Sequence, residues 1–302
     1  PPAGDTVLTM EMVRWERRPE LRRPLLVVAF EGWNDAGDAS SIALGCLAEA
    51  WSAERFATID SEELYDFTVT RPQVRLTDSG ERRIEWPDIE LLGARVPSAS
   101  HDLVLLRGVE PQLRWRTFAA AVVSVAEAVD AELAVILGAL LADVPHTRPV
   151  RVSGTTDDRD LANRLGLSPP SYEGPTGIVG VLHDALRRSG IPTASFWAAV
   201  PHYVHQLPSP KAALALVERS SALLGAAVDS PELREAALDY ERQVSERVAD
   251  DEDAAAYVAQ LEDADDVEWG GSEAEIGALR IGDAEQLAAE VERFLRDHPR
   301  EG

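Results

Sequence analysis

A run of six apolar side chains, residues 25–30, limits the possible folds of this chain more than any other part of its sequence. A continuous apolar run of this length predicts a strand that is buried on both faces, as in the middle of a parallel sheet. A polar segment with two glycines follows at residues 31–38, and the apolar pattern of residues 39–51 predicts a helix. A strand, a polar loop and a helix in this order form the first half of a βαβ unit.

The same pattern recurs further along the chain. It predicts strands at 54–60, 103–106, 133–140, 150–152 and 194–200, and helices at 117–129, 160–165 and 176–188. Residues 64–96 interrupt it with short alternating segments, at 66–70, 73–76 and 83–86, which predict an antiparallel excursion. Five or six parallel strands with helices between them predict an α/β fold, a three-layer α/β/α sandwich with a mostly parallel sheet.

The predicted strands end at the Pro-Ser-Pro segment, residues 208–210. Beyond it, helices are predicted at 212–224, 233–248, 254–261 and 283–296, with a flexible Gly-Gly-Ser joint at 270–272. We therefore expect an α/β/α core domain at residues 1–208 and an acidic helical subdomain at residues 209–302. Residues 229–302 contain 23 acidic and 7 basic side chains, a net charge of −16 within a chain total of −24.

This acidity excludes several classes of partner. It opposes binding to nucleic acid or to an anionic membrane, because contact with phosphate needs clustered lysine and arginine.

No apolar run approaches the roughly 18 residues of a membrane-spanning helix. Cys46 is the only cysteine, so one chain has neither a disulfide nor a cysteine-based metal site. We expect a cytoplasmic protein without a metal or a cofactor. Lys211 is the only lysine, which we attribute to a GC-rich gene.

Polar motifs follow four of the predicted strands. The carboxyl ends of parallel strands lie along one edge of an open sheet, and ligand crevices form there. Side chains from these motifs, including those of Glu31, Glu110 and His146, are therefore candidates to converge at that edge. The full set of candidates for a pocket or an interface is Glu31, Asn34, Asp35, Arg107, Glu110, Asp143, His146, Arg148, Tyr172, Glu173, Thr176, His202 and Tyr203.

These candidates have both catalytic and structural interpretations. His146 is either a general acid or base, or a loop residue that is bonded to backbone carbonyls. Glu31 and Glu110 either act as a carboxylate pair or each bind a backbone amide or a neighbouring arginine, of which ion pairing is the more ordinary outcome. The sequence contains no Gly-x-Ser-x-Gly, Walker A or His-Glu-x-x-His motif, so we assign no catalytic residue.

The glycine-containing segment at residues 172–180 leads directly into a predicted helix. The N-terminus of that helix is a candidate site for a phosphate or carboxylate. Alternatively, the segment is a tight turn in which Thr176 caps the helix. We favour the turn, because the segment has neither the spacing of a phosphate-binding loop nor a lysine after its glycines.

Five motifs resemble those of the actinobacterial branch of the proteasome-assembly-chaperone family. They occupy residues 26–39, 65–72, 140–150, 172–180 and 200–204, and the resemblance covers about residues 20–262. It implies a phosphorylase/hydrolase-like α/β/α core with a helical appendage. It also implies homo-oligomers, for which we expect a trimer, and a role in assembling or binding the rings of the proteasome core particle.

Two functions from different classes are consistent with these observations. The first is an oligomeric binding and assembly protein whose acidic surface engages a basic or mixed-charge partner, such as proteasome core-particle subunits. The alternative is a phosphorylase- or hydrolase-like enzyme, or a small-ligand binder, with a pocket at the carboxyl ends of the core strands. A third interpretation is that the motif residues only build loops and an oligomer interface. We favour the first because of the resemblance and the missing catalytic motifs.

Overall fold

The computed structural model describes residues 12–77, 79–170 and 172–268. Its strands are β1 (Val13–Trp15), β2 (Leu25–Glu31), β3 (Glu54–Ile59), β4 (Gln73–Leu76), β5 (Arg82–Glu85), β6 (Ile89–Ala94), β7 (Leu103–Val109), β8 (Leu133–Ala142), β9 (Val152–Thr156) and β10 (Thr193–Pro201). Its helices are α1 (Ala39–Ala50), α2 (Trp115–Ala128), α3 (Arg159–Leu165), α4 (Ile178–Arg188), α5 (Pro210–Leu224), α6 (Pro231–Ala249) and α7 (Glu252–Glu268). Short 3-10 turns lie at Ala36–Asp38 and His202–Val204.

Eight of the strands form one mixed sheet in the order β1-β3-β6-β7-β2-β8-β10-β9. The four adjacent strands β7, β2, β8 and β10 are parallel, and every other pairing in the sheet is antiparallel. The predicted α/β fold is confirmed, and five of the six predicted strands run in one direction. The sixth, β9, runs the other way, because no crossover helix separates it from β8 and the chain turns straight back.

Helices cover both faces of the sheet, as a three-layer sandwich requires. Val27 and Ala29 of β2 pack into a cluster with α1 and α5, whereas Val28 and Phe30 pack into a second cluster with α2 and α4. Successive side chains of a strand point to opposite faces, so a strand covered on both sides is apolar at every position. This arrangement explains the continuous apolar run of the sequence.

The predicted antiparallel excursion between β3 and β6 is confirmed in part. Strands β4 and β5 form a separate two-stranded hairpin, as expected. The strand predicted at residues 66–70 is wrong, because these residues form turns. The Asp66 carboxylate accepts hydrogen bonds from the backbone N–H (2.8 Å) and the hydroxyl (2.6 Å) of Thr68. An aspartate that bonds the backbone two residues ahead favours a turn over an extended strand.

The helices that follow β10 pack in succession onto the sandwich. Helix α5 buries Leu216 and Val217 in the same cluster as α1, so it completes one layer of the core. Helix α6 packs on α5, and α7 packs on α6. Among the described residues, no helix has the length and apolar character needed to cross a membrane. The division at residue 208 stays a prediction, and the helix predicted at 283–296 and the joint at 270–272 lie outside the described residues.

Candidate functional site

The candidate residues lie in two main clusters at the carboxyl edge of the parallel strands. The carboxylate cluster consists of Glu31, Glu110 and the first turn of α4. The histidine cluster follows β8 and β10 and consists of Asp143, His146, His202, Tyr203 and Tyr257. Among the hydrogen bonds between described residues, none joins the side chains of His146 and Glu110. The predicted convergence of the candidates therefore occurs within each cluster and not between them.

His146 is buried, and both of its ring nitrogens have hydrogen-bond partners. The Tyr203 hydroxyl accepts a hydrogen bond from the backbone N–H of His146 at 2.8 Å and lies 2.8 Å from the ring Nδ1. Among the hydrogen bonds of the described residues the Tyr203 hydroxyl has no other acceptor, so we assign its hydrogen to Nδ1, which is then unprotonated. The neutral ring then carries its proton on Nε2, which donates to the Ser245 hydroxyl at 2.9 Å. This tautomer is assigned from the network.

The surroundings of His146 favour the uncharged ring. Burial, and next the positive charge of Lys211, lower the pKa of His146. With its proton on Nε2, the ring cannot accept the proton of Ser245, so the pair is not arranged as a base and a nucleophile. The interaction instead fastens α6, which carries Ser245, to the loop after β8.

The same loop is fastened to two further helices. The backbone carbonyl of His146 accepts a hydrogen bond from the ammonium of Lys211 on α5 at 2.5 Å, and that ammonium also pairs with Glu241 on α6 at 2.5 Å. The Thr147 hydroxyl donates to the carboxylate of Glu262 on α7. One loop at the carboxyl edge thus contacts each of the three α-helices that follow β10 in the described part of the chain.

Aromatic rings and a carboxylate complete the histidine cluster. The His202 ring lies edge-to-face with Tyr203 and Tyr257, and its Nδ1 is 3.0 Å from the carboxylate of Asp143. Burial raises the pKa of Tyr203 to about 12, so its hydroxyl keeps its proton near neutral pH. Asp143, His146, His202 and Tyr203 therefore form one interface between the sheet and the C-terminal helices.

The cavity beside His146 is too small for a substrate. It is lined by polar groups from Arg148, Lys211 and Tyr240 as well as by His146, and its volume is about 10 Å³. That volume accommodates about one water molecule. In the described part of the chain, no three histidine, cysteine, aspartate or glutamate side chains come together as a metal site.

In the carboxylate cluster, Glu110 occupies the anion position that the sequence suggests. Its backbone N–H donates to the carbonyl of Glu31 at 2.8 Å, and its Oε1 accepts a long hydrogen bond from the backbone N–H of Ile178 at 3.4 Å. The N-terminus of α4 therefore faces a carboxylate of the same chain. The prediction that Thr176 caps this helix is wrong, because Gly177 is the N-cap residue and Glu110 supplies the acceptor.

Asn34 and Asp35 shape the start of α1. The buried Asp35 carboxylate accepts hydrogen bonds from the backbone N–H and the hydroxyl of Ser40, both at 2.6 Å. Burial nevertheless raises the pKa of Asp35. The backbone carbonyl of Asn34 accepts from the N–H of Ala139 on β8 at 2.9 Å. Both residues thus fix the loop after β2 against the neighbouring strand and helix.

The remaining candidates belong to neither cluster. Arg107 forms a cross-strand ion pair with Glu90 at 2.7 Å. The Tyr172 hydroxyl donates to the carbonyl of Pro175 at 2.9 Å. Glu173 and Thr176 are exposed.

Sequence reasoning missed the partners that α5, α6 and α7 supply. These are Lys211, Tyr240, Glu241, Ser245, Tyr257 and Glu262. A usable signal existed for one of them, because Lys211 is the only lysine in a chain that otherwise uses arginine. The structure gives that lysine two oxygen partners, a more specific explanation than a GC-rich gene. Ser245 and Glu262 have no such signal.

Large apolar side chains are exposed at the same edge of the sheet. We call Trp33, Leu113, Leu141 and Tyr172 the edge patch. They lie near the ends of β2, β7 and β8 and before α4, and 74% of the Trp33 surface is exposed. Exposed apolar side chains near one edge of a sheet are candidates for contact with another protein.

A comparison with protein families identifies the family of this chain. The model of the PAC2 family matches residues 29–248, which include the loops of both clusters and α6. The chain belongs to the PAC2 family. The actinobacterial resemblance is confirmed as well, because the PAC2 family protein from Streptomyces avermitilis is 50% identical. That similarity covers 78% of this chain and 99% of the other, with a TM-score of 0.73.

Two other solved structures that are similar to this PAC2 protein have names that refer to the proteasome. The Mycobacterium tuberculosis proteasome-assembly chaperone homologue Rv2125 is 46% identical, over 78% of this chain and 99% of that one, with a TM-score of 0.71. PbaB, an archaeal proteasome activator from Pyrococcus furiosus, is 16% identical over 78% of this chain and 97% of that one. Its TM-score of 0.65 shows a shared fold. No curated protein matches the chain.

Proposed function

We propose that this PAC2 protein is a cytoplasmic binding and assembly protein that acts on subunits of the proteasome core particle. We further propose that it works as a homo-oligomer, with a trimer as the expected form. The observation that carries this proposal is a contrast between the polar and the apolar side chains at the carboxyl edge. There, His146, Tyr203 and Glu110 bond to the protein itself, whereas the apolar side chains of the edge patch are exposed.

The similarity to named relatives supports the proteasome as the client. A protein that is 46% identical over nearly its whole length is described as a proteasome-assembly chaperone homologue. Relatives of this identity share a fold and much of their surface chemistry. An assembly protein needs an exposed surface that binds a subunit before its final partner does, and the edge patch is suited to that role.

The alternative, a phosphorylase- or hydrolase-like enzyme, has less support. Ligand pockets usually have volumes of about 300–1,000 Å³. The cavity beside His146, at about 10 Å³, is far below that range. His146 also carries its proton on the nitrogen that faces Ser245, which is the wrong arrangement for activating that hydroxyl. Glu110 is already engaged by the helix that would hold an anion.

A reconstitution with purified components tests the proposal. Core-particle subunits from the same organism are mixed with and without the PAC2 protein, and ring formation is followed on native gels. We expect faster ring formation, or a stable complex with one type of subunit. Trp33→Ser should abolish this effect, because it removes the most exposed apolar side chain of the edge patch, and Trp33→Phe should retain most of it. No effect of the wild-type protein at tens of micromolar would reject the proteasome as the client.

A further inference from the structure

The hairpin of β4 and β5 is the most exposed regular structure in the described part of the chain. Its strands pair only with each other, and every residue in them is exposed. Val74 lies opposite Ile84 and Leu76 lies opposite Arg82, so these four side chains share one face. A two-stranded hairpin on its own is marginally stable in water, and an apolar face on it favours a protein partner.

Unpaired positive charge accompanies this apolar face. Arg82 lies on this face and, among the described residues, forms no ion pair with a carboxylate, whereas Arg75 lies on the opposite face and pairs with Glu85. The chain has 53 acidic and 29 basic residues, so positive charge without a nearby carboxylate is uncommon on its surface. A partner for the hairpin should therefore combine an apolar contact with negative charge.

Helix α6 of a second copy offers that combination. Leu238 on α6 is 72% exposed, and it is the one large exposed apolar side chain that lies on a helix in the described residues. Glu235 lies one helical turn before it, is also exposed and has no ion pair among the described residues. Residues 231–264, which include α6 and most of α7, contain eleven acidic and three basic side chains.

We propose that the β4–β5 hairpin of one copy docks on the Leu238 face of α6 of a second copy. Val74, Leu76 and Ile84 would cover Leu238, and Arg82 would face Glu235. Two different surfaces meet in this contact, so it is heterologous and generates a ring when its rotation closes. The inference specifies the homo-oligomer of the proposed function and does not depend on the client.

The oligomeric state of the full chain gives the first test. Sedimentation velocity between 1 and 100 µM is compared for the wild type, Leu76→Asp and Gln73→Asp. Gln73 lies on the opposite face of the same strand, so its substitution adds the same charge without touching the proposed contact. We expect the wild type and Gln73→Asp to be oligomeric and Leu76→Asp to dissociate at least 100-fold more readily. A monomeric wild type, or an oligomeric Leu76→Asp, would overturn the proposal.

Cysteine pairing identifies the surfaces that meet. In a Cys46→Ser background, Leu76→Cys and Leu238→Cys chains are oxidised separately and as a mixture. Docking of the hairpin on α6 predicts covalent dimers only in the mixture. Dimers of Leu76→Cys alone would show a hairpin-to-hairpin contact and overturn the assignment to α6. The exchanged pair Arg82→Glu and Glu235→Arg should each weaken assembly, and the double variant should restore it.

A final comparison separates this inference from the client. Trp33→Ser lies in the edge patch and should leave the oligomer intact while it abolishes the effect on proteasome subunits. Leu76→Asp should dissociate the oligomer whether or not such subunits are bound by the protein. Dissociation by Trp33→Ser would contradict the separation of the two surfaces and place self-assembly at the edge patch instead.

Discussion

The ring Nε2 of His146 lies 2.9 Å from the hydroxyl of Ser245, although the two residues are 99 positions apart in the chain. His146 belongs to a loop at the carboxyl edge of the sheet, and Ser245 belongs to α6. The contact joins the loop after β8 to a helix that also packs on α5. We therefore interpret His146 as the residue that holds the C-terminal helices against the loop after β8.

Removing the Ser245 hydroxyl should loosen α6. Ser245→Ala leaves the buried Nε2–H of His146 without an acceptor, which costs about 1–2 kcal/mol of unfolding free energy. Amide hydrogen exchange should accelerate in α6 and α7 before it does in β2 or β8. Ser221→Ala is the matched control, because the Ser221 hydroxyl bonds only to the Val217 carbonyl within α5. Equal exchange rates in the two variants would contradict the role of the His146–Ser245 hydrogen bond in holding α6.

Acid should weaken the protein through His146. Its pKa is lowered in the folded state, whereas an unfolded histidine titrates near 6.5. Below about pH 6.5 the unfolded chain therefore binds a proton that the folded chain does not, and stability falls as the pH falls. We expect a loss of about 1 kcal/mol between pH 7 and pH 5.5, measured by urea unfolding.

Two variants show how much of this loss of stability each histidine causes. His146→Gln keeps a polar side chain but cannot titrate, so its pH dependence should be shallower than that of the wild type. His183 contributes in the same direction, because burial also lowers its pKa, and His183→Gln measures that share. Asp35 acts oppositely as the pH falls toward about 4, since its raised pKa makes the folded state bind a proton before the unfolded state does. A His146→Gln profile parallel to that of the wild type would refute the role of His146.

Glu110 should stabilise the first turn of α4 by its charge. Its carboxylate faces the Ile178 N–H at the positive end of the helix. Glu110→Ala should cost about 0.5–1 kcal/mol, and Glu110→Gln should cost less because an amide oxygen can still accept the hydrogen bond. Thermal unfolding and hydrogen exchange at residues 178–181 measure both effects. If Thr176→Ala were the more damaging change, the assignment of Glu110 as the acceptor would be wrong.

The sequence predicts the sandwich well, because burial on two faces leaves a local signal. The apolar run of β2 and the helical period of α2 need no knowledge of distant residues. The direction of β9 and the turns at residues 66–70 were harder to predict. The first depends on the absence of a crossover helix, and the second depends on one hydrogen-bonding aspartate in an otherwise strand-like pattern.

Within the candidate site, only the residues in the loops that follow the strands can be predicted from the sequence. Motifs after the strands draw attention to His146 and Tyr203, because polar residues at strand ends stand out against an apolar core. Their partners on α6 and α7 lie in an acidic amphipathic sequence where Ser245 and Glu262 resemble any solvated residue. Long-range pairing of this kind leaves no periodicity, so one sequence alone does not reveal it.

A buried carboxylate at the start of β7 should be among the most sensitive positions of the fold. The Asp102 side chain is fully buried and accepts hydrogen bonds from the Arg22 backbone N–H (2.7 Å), the Arg22 guanidinium (2.8 Å) and the Val96 N–H (2.9 Å). Burial raises the pKa of Asp102, but these donors outweigh burial and hold it below the ordinary value. The ionised carboxylate therefore stabilises the folded state near neutral pH.

Asp102→Asn should lower the unfolding free energy by about 3 kcal/mol at pH 7, since the new amide group turns a donor toward the donors of Arg22 and Val96. Arg22→Ala should cost less, because the Arg22 side chain is 57% exposed and the two backbone N–H groups still satisfy the carboxylate. The difference between wild type and Asp102→Asn should shrink as the pH falls below about 4, where the unfolded aspartate binds a proton that the folded one resists. Urea unfolding at pH 7 and pH 3.5 measures both quantities. If the gap stays constant between these two pH values, packing and not charge explains the effect, and the interpretation of Asp102 as an ionised anchor fails.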